Sequence, residues 1–114
     1  DGSCIRDYID VTDLARAHVA AIGRMAGDKN KERYEIFNVG TGRGVSVLEL
    51  VTRFEQVNGV KVNHKIAPRR EGDIIAIWAD PTLANEELGW QATRTLDETL
   101  ASAWAWEKHL RDME

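Results

Sequence analysis

Apolar residues recur at spacings of three and four through Leu14, Ala17, Ala21, Ile22 and Met25, so 12–25 predicts an amphipathic helix with that stripe facing inward. Thr12 or Asp10 can cap it by accepting from free backbone N–H groups. The same pattern returns at 46–59, where Leu50, Val51, Phe54 and Val57 form the stripe. Ser46 and Glu49 have capping-box spacing, and Asn58-Gly59 stops the helix. Asp80-Pro81 opens a helix running to Gly89, because Asp caps and Pro fits a first turn. Thr95 and Glu98 open the last helix, 96–113, with Leu96, Leu100, Ala103, Trp104 and Leu110 inward. Four other stretches read as extended. Residues 4–11 are rich in β-branched side chains, 34–40 ("YEIFNVG") predicts a buried strand, and 60–68 alternates up to Pro68. The fourth, 74–79, is a short apolar run. The order β-α-β-α-β-β-α-α predicts an α/β fold with about four helices packed on short, mixed strands.

Composition narrows the classes. The 114 residues suit one domain or part of one, and 43% apolar with 30% charged is ordinary for a globular protein. A net charge of -4 argues against a general affinity for nucleic acid, which needs a basic face. No apolar run approaches the roughly 18 residues of a membrane span, and no secretory leader is read at the start. Cys4 is the single cysteine, which excludes an intrachain disulfide and suits a reducing cytoplasm. The opening "DGSCIRDY" has no initiator Met and looks like a segment of a longer protein.

Three stretches carry candidate chemistry. "NVGTGRGVS" (38–46) sits between a strand and a helix, but its third glycine position falls on Val45 and no ribose-binding acid follows. The motif reads as a structural turn. In "RDY", Arg6 and Tyr8 lie two apart on an extended segment and so share a face. They form either an exposed edge or a phosphate fork beside a flat ring. In "PRREGD" (68–73) two arginines precede Gly72 and Asp73. This is either a solvated mixed-charge loop or a guanidinium site for a diphosphate, with Asp73 on sugar hydroxyls. His18, His64 and His109 are scattered without metal-ligand spacing, Cys4 has no evident base, and no Tyr-x-x-x-Lys pair occurs. Trp104 and Trp106 read as core and rim of the last helix.

Taken together, "RDYIDVTDLARAHVAA", "FNVGTGRGVSVLELV", "APRREGD…WADPTLANEELGW" and "TLDETLASAWAWE" resemble the C-terminal third of the UDP-glucose 4-epimerase family, within the extended short-chain dehydrogenase/reductases. The resemblance covers essentially the whole chain. It implies a homodimeric cytoplasmic parent that interconverts UDP-glucose and UDP-galactose through a transient 4-keto sugar, using a tightly bound NAD. The cofactor motif and catalytic residues of the family lie in its N-terminal two thirds, so the segment alone is expected to be inactive. Carried over by position, Arg6 and Arg70 clamp the diphosphate, Tyr8 and Val47 line the nucleotide pocket, and Asp73 bonds the ribose. Ile77 stands where family members often carry Tyr or a smaller residue, which implies room for a bulkier C2 substituent such as N-acetyl. The 34–40 strand normally joins the family's cofactor sheet; unpaired, it invites self-association. Two alternatives stand beside this reading: a nucleotide-sugar dehydratase or decarboxylase, and a non-catalytic nucleotide-sugar binding module.

Overall fold

The computed structural model describes residues 1–113. Among these residues there are four helices and one two-stranded sheet, against which α2 packs. Strand β1 (Ile5–Arg6) leads to helix α1 (Val11–Ala26), strand β2 (Val45–Ser46) leads directly into α2 (Val47–Asn58), and α3 (Thr82–Leu88) and α4 (Leu96–Asp112) follow. β1 and β2 are antiparallel, with Ile5 opposite Ser46 and Arg6 opposite Val45. On the other side of β1 a single parallel bridge joins Ile5 to Ala76, with Ile5 N–H donating to Ile75 O at 2.9 Å and Ile77 N–H to Ile5 O at 3.0 Å. The result is an α/β architecture in which β1 joins two distant segments, 45–47 and 75–77.

The helices begin where local chemistry says they should. Asp10, rather than Thr12, caps α1 by accepting from Thr12 N–H at 2.8 Å. Ser46 Oγ accepts from Glu49 N–H at 3.1 Å at the start of α2, and Gly59 closes that helix at φ 64°, a left-handed conformation that costs glycine little. Thr95 and Glu98 form a full capping box on α4. α3 starts one residue later than expected, at Thr82, with Asp80 accepting from Thr82 N–H at 3.1 Å.

Packing divides into two clusters. α1 meets α3 around Ala17, Ala84 and Trp90, with Ile9, Phe37, Val39 and Leu88 against them. α2 packs along α4, where Phe54 and Trp104 meet edge to face with centroids 5.8 Å apart. The chain is open: its radius of gyration is 17.2 Å, against about 13 Å for a compact domain of this length.

Three expectations fail for one physical reason, the lack of a partner. Residues 34–40 and 60–68 are irregular, with bends at Tyr34 and Gly40, and pair with no neighbour among the described residues, so neither is a strand of a sheet. The 34–39 stretch still alternates, with Glu35, Phe37 and Val39 half-buried while Tyr34 and Ile36 face outward. The 4–11 strand contracts to Ile5–Arg6 because its ladder ends where the chain turns toward α1. α1 is also rotated from the expected face. Asp13, Ala17 and Arg24 are its buried positions, while Ile22 and Met25 are each 62% exposed. Polar ties explain the rotation. Asp13 holds the 93–94 backbone, and Arg24 is gripped by Glu35 through two bonds (2.9 and 3.0 Å) and by Glu87 O at 3.0 Å. On α4, Ala103 and Leu110 are exposed instead of inward. α4 has 17 residues against the 12 of α2 and is longer by about 7.5 Å at 1.5 Å per residue.

Candidate functional site

A cavity of about 530 Å³ opens between the start of the chain, the first turn of α2 and the 64–73 segment. Arg6, Tyr8, Val47, Arg70 and Asp73 all line it, although they come from three separate regions of sequence. Arg6 arrives from β1, and its Nη1 donates to Ile5 O at 2.8 Å and Ile74 O at 2.7 Å, which fixes the guanidinium against the wall. Tyr8 stands on the same face two residues on. Val47 is the first residue of α2, placed beside β1 because Val47 N–H donates to Cys4 O at 3.0 Å. Arg70 and Asp73 are the ends of a tight turn, with Asp73 N–H reaching Arg70 O at 3.3 Å and Gly72 at φ 86° between them. Their side chains pair, Arg70 Nε to Asp73 Oδ2, at 3.1 Å.

The two adjacent arginines have different fates. Arg70 lines the cavity, whereas Arg69 donates to Gly2 O at 3.0 Å and to Cys4 Sγ at 3.3 Å. Arg69 therefore fastens the loop to the chain's first residues. Ile77 is not part of this cavity. It lines an adjoining one of about 450 Å³ with Asp7, Asn38 and Trp78, and Arg6 is the wall common to both. Sequence reasoning missed Lys65 and His64, which also line the main cavity. Lys65 makes three cations with Arg6 and Arg70, against the carboxylates of Asp1 and Asp73. The alternating "KVNHK" pattern beside the arginines was the available signal.

A larger cleft of about 630 Å³ lies on the far side of Tyr8, lined by Arg43, Arg53 and Arg94 with Glu49 and Asp97. Its charges are mostly spent on one another: Arg53 pairs with Asp97, and Arg94 with Glu98 at 3.7 Å. The smaller cavity, where cations converge beside a ring and an aliphatic side chain, is the better built for an anionic ligand with a flat group.

The glycine turn is committed to structure. Thr41 and Gly42 N–H both donate to the Asp7 carboxylate, at 3.0–3.1 Å. A side chain on Gly44 would put its Cβ 2.5 Å from Ile5 Cγ2, and one on Gly40 would lie 2.6 Å from Ala79 Cβ. The N–H groups that would cradle a dinucleotide's phosphates already hold a carboxylate, so this turn does not fit NAD.

The chain belongs to the nucleotide-sugar enzyme family described as GDP-mannose 4,6 dehydratase, whose model matches residues 1–103. Within that class its similarity runs to UDP-glucose 4-epimerases. The enzyme of that name from Yersinia pestis is 49% identical over 107 residues, which is 94% of this chain and 31% of the relative. Among solved structures, UDP-glucose 4-epimerase from Stenotrophomonas maltophila, with bound NAD and formylated UDP-arabinopyranose, matches with a TM-score of 0.94 at 42% identity, covering 100% of this chain and 33% of that one. The Bifidobacterium longum enzyme, in complex with NAD+ and UDP, gives 0.87 at 44% identity over 96% of this chain and 31% of that one. The chain thus spans about a third of the length of the proteins it matches.

Proposed function

We propose that this chain is the UDP-sugar-binding, C-terminal part of an NAD-dependent UDP-hexose 4-epimerase, which interconverts UDP-glucose and UDP-galactose through a transient 4-keto sugar. One observation carries the reading: Arg6, Tyr8, Val47, Arg70 and Asp73 line a single cavity of about 530 Å³. In it Arg6 and Arg70 clamp the diphosphate, Tyr8 and Val47 hold the nucleoside, and Asp73 accepts from ribose hydroxyls. Asp73 pairs with Arg70 in the free chain, so the ligand shares or displaces that pair. Ile77, one wall away, faces the sugar. The glycine turn does not fit a dinucleotide, so NAD is assigned to the part of the enzyme outside residues 1–114. Residues 1–114 alone are expected to bind without turnover. A homodimeric, cytoplasmic enzyme of galactose metabolism is the setting that the family resemblance supports.

The test is a titration with UDP followed by NMR amide shifts. Saturable shifts at Arg6, Val47 and Arg70 are expected, and Arg70→Ala is expected to weaken binding about tenfold, the loss of one charge-assisted contact. A folded chain whose amides ignore UDP would refute the assignment of this cavity.

A further inference from the structure

Arg6 and Tyr8 must be held at fixed positions to act on one ligand, yet the strand holds Arg6 and not Tyr8. The ladder of β1 ends at Arg6, which pairs with Val45, and further backbone bonds anchor Cys4 and Ile5, so Tyr8 lies beyond the last rung. α1 does not begin until Val11, and its cap is Asp10. Between these anchors Ile9 packs on the α1–α3 cluster, and the side-chain hydrogen bonds among the described residues all come from Asp7. The Asp7 carboxylate accepts Thr41 N–H on both oxygens at 3.1 Å, the Thr41 hydroxyl on Oδ1 at 2.6 Å, Gly42 N–H on Oδ2 at 3.0 Å and Ala79 N–H on Oδ2 at 3.2 Å.

Taking the nucleotide reading above as its basis, we infer that Asp7 is the positioning residue of the nucleotide pocket. Its carboxylate locks the glycine turn and the 77–79 segment to the chain between Arg6 and Tyr8, and so sets where those two side chains stand. Alternation supports the assignment. Arg6 and Tyr8 line the nucleotide cavity and Asp7 does not; Asp7 lines the adjoining cavity with Ile77, where Arg6 is the shared wall. Both carboxylate oxygens are filled by donors from the protein, so Asp7 acts on a ligand only through its neighbours. The close fit accounts for Gly40 as well: a Cβ there would lie 2.7 Å from Asp7 Oδ2. Because Ala79 hangs from the same carboxylate, Asp7 also sets the height of Ile77 and Trp78 over the neighbouring cavity. An amide cannot replace it. Asn offers one acceptor oxygen and turns an N–H2 group toward the remaining donors.

The experiment uses the whole chain, comparing wild type, Asp7→Asn and, as a control, Asp10→Asn, which removes the neighbouring cap carboxylate that bonds Thr12 and Thr99. UDP is the probe, and affinity is measured well below the unfolding transition. Asp7→Asn is expected to weaken UDP binding about tenfold and to speed amide exchange at Thr41, Gly42 and Ala79, with α2 and α4 exchange unchanged. Asp10→Asn, which keeps a capping oxygen, is expected to leave UDP affinity within about twofold and Thr41, Gly42 and Ala79 exchange unchanged. Unchanged affinity in Asp7→Asn despite faster exchange would overturn the inference and leave Asp7 a structural tie. If the wild-type chain itself ignores UDP, the nucleotide reading fails, and the side-chain NMR signals of Arg6 and Tyr8 decide the matter. Displaced signals in Asp7→Asn support positioning, and unmoved ones overturn it.

Discussion

Replacing Asp13 by Asn tests the reasoning about how α1 is held. Asp13 is 1% exposed and its carboxylate joins α1 to the 93–94 backbone. Oδ2 accepts Thr93 N–H at 3.2 Å and Arg94 N–H at 2.9 Å; Oδ1 accepts the Thr93 hydroxyl at 3.2 Å and Arg16 Nη2 at 2.5 Å. Asn keeps the volume but has one acceptor. Its best orientation leaves the carbonyl on the two backbone N–H groups and lets the Thr93 hydroxyl turn to accept from the new amide. The Arg16 bond is lost, and the others drop from charge-assisted to neutral. Bonds to charged groups contribute roughly 1.5–3 kcal/mol and neutral ones about 1, and the half-exposed Arg16 is discounted for solvent, so the expected loss is about 2–3 kcal/mol. Urea denaturation followed by circular dichroism reads it as a lowered midpoint with an unchanged slope. Acid supplies a second arm. Burial pushes the Asp13 carboxyl up, but the Arg16 side chain, the Arg94 and Thr93 N–H groups and the Thr93 hydroxyl outweigh it, and the folded group sits below the ordinary range. A carboxyl depressed in the folded state stabilises fully above its unfolded value, near about 3.9, and loses that contribution as pH falls through the folded value. The gap between wild type and Asp13→Asn is therefore expected to narrow from pH 7 toward about pH 3. An unchanged midpoint at neutral pH, or a gap that ignores acid, would refute the account.

Two more predictions concern size and the sugar. At high concentration the chain is expected to self-associate, because Ile22, Met25, Tyr34 and Ile36 are exposed and the 34–40 backbone has no partner strand among the described residues; light scattering that shows one monomeric species at millimolar concentration would contradict this. In the full-length enzyme, Ile77 is expected to admit UDP-N-acetylglucosamine, and Ile77→Tyr to cut its turnover about tenfold relative to UDP-glucose, the usual scale of a steric change in an apolar pocket. No measurable turnover by the native full-length enzyme would remove the steric argument.

The helices were legible because their signals are local. Ser46, Thr95 and the pair Asp10/Thr12 announce starts within three residues of the N–H groups they serve, and Gly59 and Gly89 announce stops, both with positive φ. The strands were not, since 34–40 and 60–68 have the composition of strands but a strand exists only through its neighbour. The face of α1 was misread for a different reason. Apolar periodicity selects Ile22 and Met25, while the helix is fixed by Asp13 and Arg24, whose partners lie as far as 81 and 63 residues away. Buried polar groups are costly unless bonded, so where they are bonded they override the stripe.

The site divides along the same line. Period two was enough to put Arg6 and Tyr8 on one face, and family resemblance singled out Arg70. Neither separates the work of Arg69 from that of Arg70, which depends on where Gly2 and Cys4 lie in space. Asp7 was invisible as a functional residue because its donors sit 34, 35 and 72 positions along the chain. Yet the short β1 makes such a side chain necessary. A strand of two residues cannot orient side chains beyond its own end, and Tyr8 is beyond it. A carboxylate is the side chain suited to the task, since it alone offers two acceptor oxygens to N–H groups converging from two loops. The "RDY" motif then reads as a unit in which the first and third residues line the proposed nucleotide cavity and the middle one holds the glycine turn beside them.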